Sequence, residues 1–92
     1  MSLLISKQIQ NYVVNLNNTE INLKILYEDN HIIVVEKLVN IPSQGDKTAD
    51  LDMLTIIKEY LRVKYNKPGN VYLGLIHRLD RPVGGVMVFA KT

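Results

Sequence analysis

The sequence predicts an α+β domain: a mixed, mainly antiparallel β-sheet with one amphipathic helix over about residues 51–65. Three observations carry that expectation. Short apolar or β-branched runs, Leu23 to Tyr27, His31 to Glu36, Val71 to Ile76 and Val86 to Ala90, are divided by turn-forming residues, the pattern of strands. Leu51, Leu54, Ile57, Leu61 and Tyr65 recur at three- and four-residue spacing, the period of a helix with one apolar stripe. The chain has 92 residues, which is room for a single domain.

Taken in order, Met1 to Asn22 is weakly patterned, with Val13, Val14, Leu16 and Ile21 among Asn and Gln, and reads as an arm or a strand. Leu23 to Tyr27 and the run from His31 form two strands joined by the turn Glu28-Asp29-Asn30. The second run is nearly continuous, which predicts burial on both faces. Asn40 to Thr48, with Pro42, Ser43, Gly45 and Asp46, is a loop. Asp50 is the expected helix cap, because its carboxylate can accept free N–H groups of the first turn, and Asp52 suits the positive end of the helix. Asn66-Lys67-Pro68-Gly69-Asn70 ends the helix.

Composition narrows the class. Hydrophobic residues are 47% and charged residues 22%, as in ordinary globular domains and unlike disordered ones. With no cysteine and two isolated histidines, His31 and His77, disulfides are excluded and a structural zinc site is not expected; no metal is assigned. No apolar stretch approaches the ~18 residues of a membrane span, and the start lacks a signal-peptide pattern, so the expected compartment is cytoplasmic, with no membrane partner. Charge is uneven. Residues 1–57 hold four lysines against seven carboxylates, residues 58–92 seven bases against Glu59 and Asp80. The back third is where an anionic partner would bind, although a solvated helix face accounts for the same bases.

Chemistry concentrates in His77-Arg78-Leu79-Asp80-Arg81-Pro82-Val83-Gly84-Gly85. Pro82 disfavours helix at Arg81, and Gly84-Gly85 permits positive φ or close approach of another backbone, so these three residues shape a turn. The turn presents Arg78, Asp80 and Arg81. A carboxylate between two arginines is expected to stay ionised, which suits a nucleophile better than a general acid. The competing reading is a turn aspartate paired with its arginines. His77 taken singly reads as a hydrogen-bonded structural histidine.

The run from His77 to Val86 resembles the signature of the RluA/RluD-type pseudouridine synthases. Its setting makes the match specific: the strand from Ile32 to Lys37, Asn40-Ile41-Pro42, Tyr60-Leu61 on the helix, Tyr72-Leu73-Gly74 before the motif and Val86 to Lys91 after it. The likeness runs from about Ile25 to Thr92. Leu38 departs from the pattern where many relatives have proline, and Val83-Gly84 stands where much of the family has Thr-Ser. The resemblance implies a fragment of the pseudouridine synthase catalytic fold that isomerises uridine to pseudouridine in ribosomal or transfer RNA. It makes Asp80 the catalytic nucleophile and needs no cofactor. It also implies that Arg78 fills the space of a flipped nucleotide, and that Arg81, His77, Lys91 and the helix bases contact RNA.

Residues 1–24 are expected to be an amino-terminal arm or strand, and 25–92 the amino-terminal portion of that catalytic domain, truncated, because the family's domain continues past this motif. The last strand is expected to lie at an open edge, a route to self-association. Two other readings stay open: a catalytically inactive RNA-binding fragment, and a small α+β interaction module whose turn is held by a salt bridge.

Overall fold

The computed structural model describes residues 9–45 and 51–92. Strands β1 (Gln10–Leu16) and β2 (Thr19–Glu28) form a hairpin around Asn17 and Asn18, with φ of 51° and 60°. Positive φ at both central residues matches the twist of the flanking strands, and asparagine tolerates that region better than most residues. A second turn leads to β3 (Ile32–Lys37). Here Asp29 Oδ1 accepts from the backbone N–H of His31 at 2.8 Å and of Ile32 at 2.9 Å. Helix α1 (Met53–Lys64) follows, then the short β4 (Gly74–Leu75) and β5 (Gly85–Ala90).

The five strands are ordered β1-β2-β3-β5-β4, every pair antiparallel. The expected α+β class, a mainly antiparallel sheet with one helix, is what forms. α1 lies on one face, against β1 and β2. Between them lie Val14, Leu23, Ile25, Ile33, Val35, Ile56, Ile57, Leu61, Met87 and Phe89, all buried. Full burial of one such side chain contributes roughly 1.5–3 kcal/mol, so this layer is the main source of stability.

Several expectations shift. The helix begins at Met53 and its N-cap is Asp52, whose carboxylate accepts from Thr55 N–H at 2.8 Å and Thr55 Oγ1 at 2.9 Å; Asp50 lies outside the described residues. The buried stripe is accordingly Met53, Ile56, Ile57, Tyr60 and Leu61, while Leu51 and Leu54 are half-buried and Tyr65 is exposed. β3 alternates: Ile33, Val35 and Lys37 are buried, whereas Ile32, Val34 and Glu36 are half-buried. One face, not two, is therefore closed by the helix. Val71 and Leu73 are buried, but regular pairing in that stretch is limited to Gly74 and Leu75. β5 is not an edge strand. It sits between β3 and β4, and the edges are β1 and β4, although β4 covers β5 only opposite Phe89 and Ala90.

An irregularity in β2 has a local consequence. The register slips between Ile25, opposite Val35, and Tyr27, opposite Val34, so that Glu28 faces Ile33. The bulge turns Glu28 to the helix side of the sheet.

Candidate active site at the Asp80 loop

Residues 76–84 connect β4 to β5. The chain runs back along β5 as far as His77, whose Nε2 accepts from Val88 N–H at 3.1 Å, and reverses in a β-turn closed by Val83 N–H donating to the Asp80 carbonyl at 2.8 Å. Leu79 packs against the core, while Arg78 and Asp80 are exposed and Arg81 is half-buried. Neither the Asp80 carboxylate nor the Arg78 guanidinium has a hydrogen-bond or ion-pair partner among the described residues. No ion pair between Asp80 and Arg78 forms among the described residues.

The backbone around it is held tightly. Lys37, 1% exposed, points its ammonium at three carbonyls: Leu38 at 3.1 Å, Arg81 at 3.0 Å and Val83 at 2.5 Å. Burial lowers the Lys37 pKa, the nearby Arg81 charge lowers it further, and Asp80 opposes both. Asn40, at φ 68°, donates its N–H to the Arg81 carbonyl at 2.7 Å. Ser43, 5% exposed, donates its hydroxyl to the Leu79 carbonyl at 2.7 Å and accepts from Leu79 N–H at 3.1 Å. Gly84 permits this contact between loops. A Cβ there would stand 3.2 Å from the Lys37 carbonyl and 3.3 Å from Val39 Cγ1. Gly85, at φ 154°, occupies backbone space that side chains disfavour, and Pro82 is the third residue of the turn.

Sequence reasoning located the turn and missed its supports. A lysine in phase with Ile33 and Val35 on β3 was a signal that this side chain is buried and needs several acceptors.

The expected RNA-contacting residues are not all brought together. His77, Arg78 and Arg81 share the loop. Lys91 does not. Gly85 stands opposite Lys37 and Ala90 opposite Ile32, so Lys91 lies just past the far end of β5, roughly 20 Å from Gly85 along the strand at ~3.3 Å per residue. Its ammonium donates to Glu28 Oε2 at 2.6 Å and to the Asp29 carbonyl at 2.7 Å, and lies 4.9 Å from the Tyr65 ring centre. Glu28 also accepts from Tyr60 at 2.7 Å, Tyr65 at 2.7 Å and Lys64 at 3.1 Å. Burial pushes the Glu28 carboxyl up, but the hydrogen bonds led by Lys91 outweigh it and bring the pKa down to about 2. The Ile32 and His31 N–H groups likewise hold Asp29 at about 2. Of the helix bases, Arg62 pairs with Glu59 at 2.6 Å.

No group of three His, Cys, Asp or Glu residues that could hold a metal occurs among the described residues, nor does a helix long and apolar enough to cross a membrane.

A family model described as RNA pseudouridylate synthase matches residues 31–92. The ribosomal large subunit pseudouridine synthase C of Buchnera aphidicola subsp. Acyrthosiphon pisum is 35% identical over 81 residues, 88% of this chain and 22% of that protein. The ribosomal large subunit pseudouridine synthase D of Pseudomonas aeruginosa is 38% identical over 76 residues, covering 79% and 22%. A mitochondrial pseudouridylate synthase of Mus musculus is 33% identical over 88 residues, covering 92% and 22%. The chain thus spans 22% of the length of each of these relatives.

Proposed function

Because this chain belongs to the RNA pseudouridylate synthase family, we propose that it carries the nucleophile-bearing part of an enzyme that isomerises uridine to pseudouridine in ribosomal or transfer RNA, with Asp80 as nucleophile. The observation that carries the reading is an exposed carboxylate, without a hydrogen-bond or ion-pair partner among the described residues, on a backbone pinned on both sides. A nucleophile needs free lone pairs and a fixed position, and the loop supplies both.

The chemistry closes without a cofactor. Asp80 attacks the uracil ring or the anomeric carbon, the C1′–N1 bond breaks, the base turns, a C1′–C5 bond forms, and the bond to Asp80 breaks to return the free carboxylate. C5 releases its hydrogen to solvent and N1 gains one, so substrate and product are isomers. The target base must leave its stack, which costs a few kcal/mol. Arg78 offsets that cost by occupying the vacated space, since a planar guanidinium stacks and hydrogen-bonds at once. Its exposure and lack of a partner among the described residues support the role. Names of the relatives from Buchnera and Pseudomonas support ribosomal RNA as a substrate.

The test is tritium release from ribosomal and transfer RNA labelled with [5-3H]uridine, using the intact protein and its Asp80→Ala variant. Release by the wild type and background release by the variant are expected. A silent wild type on both RNAs, or an active variant, overturns the reading.

A further inference from the structure

We propose that Ser43 is a positioning residue for Asp80. The inference rests on the reading of Asp80 as nucleophile.

Regular pairing of β4 ends at Leu75, so the backbone just before Asp80 lacks the ladder that would otherwise fix it. The Ser43 hydroxyl substitutes for that ladder by serving both polar groups of one residue, accepting from Leu79 N–H and donating to the Leu79 carbonyl. A strand partner would meet those groups with two backbone atoms; here one oxygen does it. Beyond Asp80 the chain is held separately, by Val83 N–H on the Asp80 carbonyl and by Asn40 and Lys37 on the Arg81 carbonyl. Asp80 is therefore anchored through its neighbours on each side, and its carboxylate is left with its own side-chain torsions.

Ser43 is itself fixed. The N–H groups of Met53 and Leu54, in the first turn of α1, donate to the carbonyls of Pro42 at 2.8 Å and Ser43 at 3.1 Å. Free helix-start donors thus hold the serine, and the serine holds Leu79. The position of the carboxylate is referred through two loops to the helix. Ser43 is buried beside Met87, whose sulfur is 3.5 Å from Oγ, so it does not touch RNA. Its effect on the reaction passes through the backbone of residue 79.

Steady-state tritium release by the intact Ser43→Ala protein, assayed where circular dichroism shows it folded, tests the inference. Misplacing a reacting group by about 1 Å can cost ~100-fold, so kcat is expected to fall by about 10- to 100-fold with KM and RNA affinity within about twofold of wild type. Ser43→Thr and Ser43→Val, nearly identical in shape, separate the hydroxyl from packing: Thr is expected to turn over at least about fivefold faster than Val. This pair decides the matter if Ser43→Ala does not fold. Equal rates for Thr and Val, or a loss in Ser43→Ala carried by KM, overturn the positioning role. With the wild type active and Asp80→Asn silent in the same assay, that failure leaves the function intact. A silent wild type or an active Asp80→Asn removes both.

Discussion

The two ends of the β3–β5 pair treat polar groups in opposite ways. At the Ile32–Ala90 end, Glu28 is ringed by Tyr60, Tyr65, Lys64 and Lys91, and each ammonium also faces an aromatic ring. At the Lys37–Gly85 end, hydrogen bonds are spent on main chain, through Lys37, Asn40 and Ser43, while Asp80 and Arg78 remain exposed and unpartnered among the described residues. Charges that satisfy one another build structure. Side chains left open on a pinned backbone are available for chemistry.

The strongest way to break that contrast is Lys37→Met, which preserves a buried apolar stem but leaves the Leu38, Arg81 and Val83 carbonyls without their donor. Thermal unfolding is expected to show a loss of about 2–3 kcal/mol, at ~1–3 kcal/mol for unmet buried groups, and turnover should fall with it. A turnover that survives in the folded protein would mean that the pin is dispensable.

Glu28→Gln acts at the other end and should affect stability with turnover per folded molecule unchanged. A carboxyl lowered from 4.5 to about 2 corresponds to on the order of 3 kcal/mol at neutral pH. The sign follows from the depressed pKa: the stabilisation is full above the unfolded value of 4.5 and is lost as pH falls toward 2. Asp29, also held at about 2, contributes in the same direction. The melting temperature should therefore drop between pH 5 and pH 2.5, and drop less in Glu28→Gln, which differential scanning calorimetry over that range can measure. An identical acid dependence in the variant would remove Glu28 from the account of that end.

Arg78→Ala should leave the melting temperature unchanged and reduce turnover by about tenfold, equivalent to ~1.4 kcal/mol of lost transition-state stabilisation. The smallest effect is expected from Gly84→Ala. Its Cβ would press on the Lys37 carbonyl and Val39, with a cost of about 1 kcal/mol in chemical denaturation, the lower end of overpacking.

Much of this arrangement was legible in the sequence because its signals are local. The helical spacing, the turn at Glu28 to Asn30 and the density of charge around Asp80 each fall within a dozen residues. Residues 1–24 were left between an arm and a strand because the signal for a hairpin there is one dipeptide, Asn17-Asn18, whose two positive φ angles make the turn. The buried stripe of α1 takes in Ile56 and Tyr60 beside Ile57 and Leu61, two positions that the spacing of Leu51, Leu54, Ile57, Leu61 and Tyr65 did not pick out. Lys91 looked like a phosphate ligand in a basic segment, yet Glu28 captures it from 63 positions away. The partners of the residues that support Asp80 were illegible for the same reason: Ser43 is 36 residues from Leu79, and Lys37 is 44 from Arg81. Periodicity does not register pairings that only the folded sheet creates.

The most direct measurement is the rate of tritium release by Asp80→Asn from [5-3H]uridine-labelled RNA, at a temperature where the variant and the wild type are equally folded. Asn has the same shape without the charge, and the side chain it replaces is exposed, so stability should not change. The expected result is a loss of at least ~10³-fold in rate with the melting temperature unmoved; release near the wild-type rate would contradict the assignment of Asp80 as nucleophile.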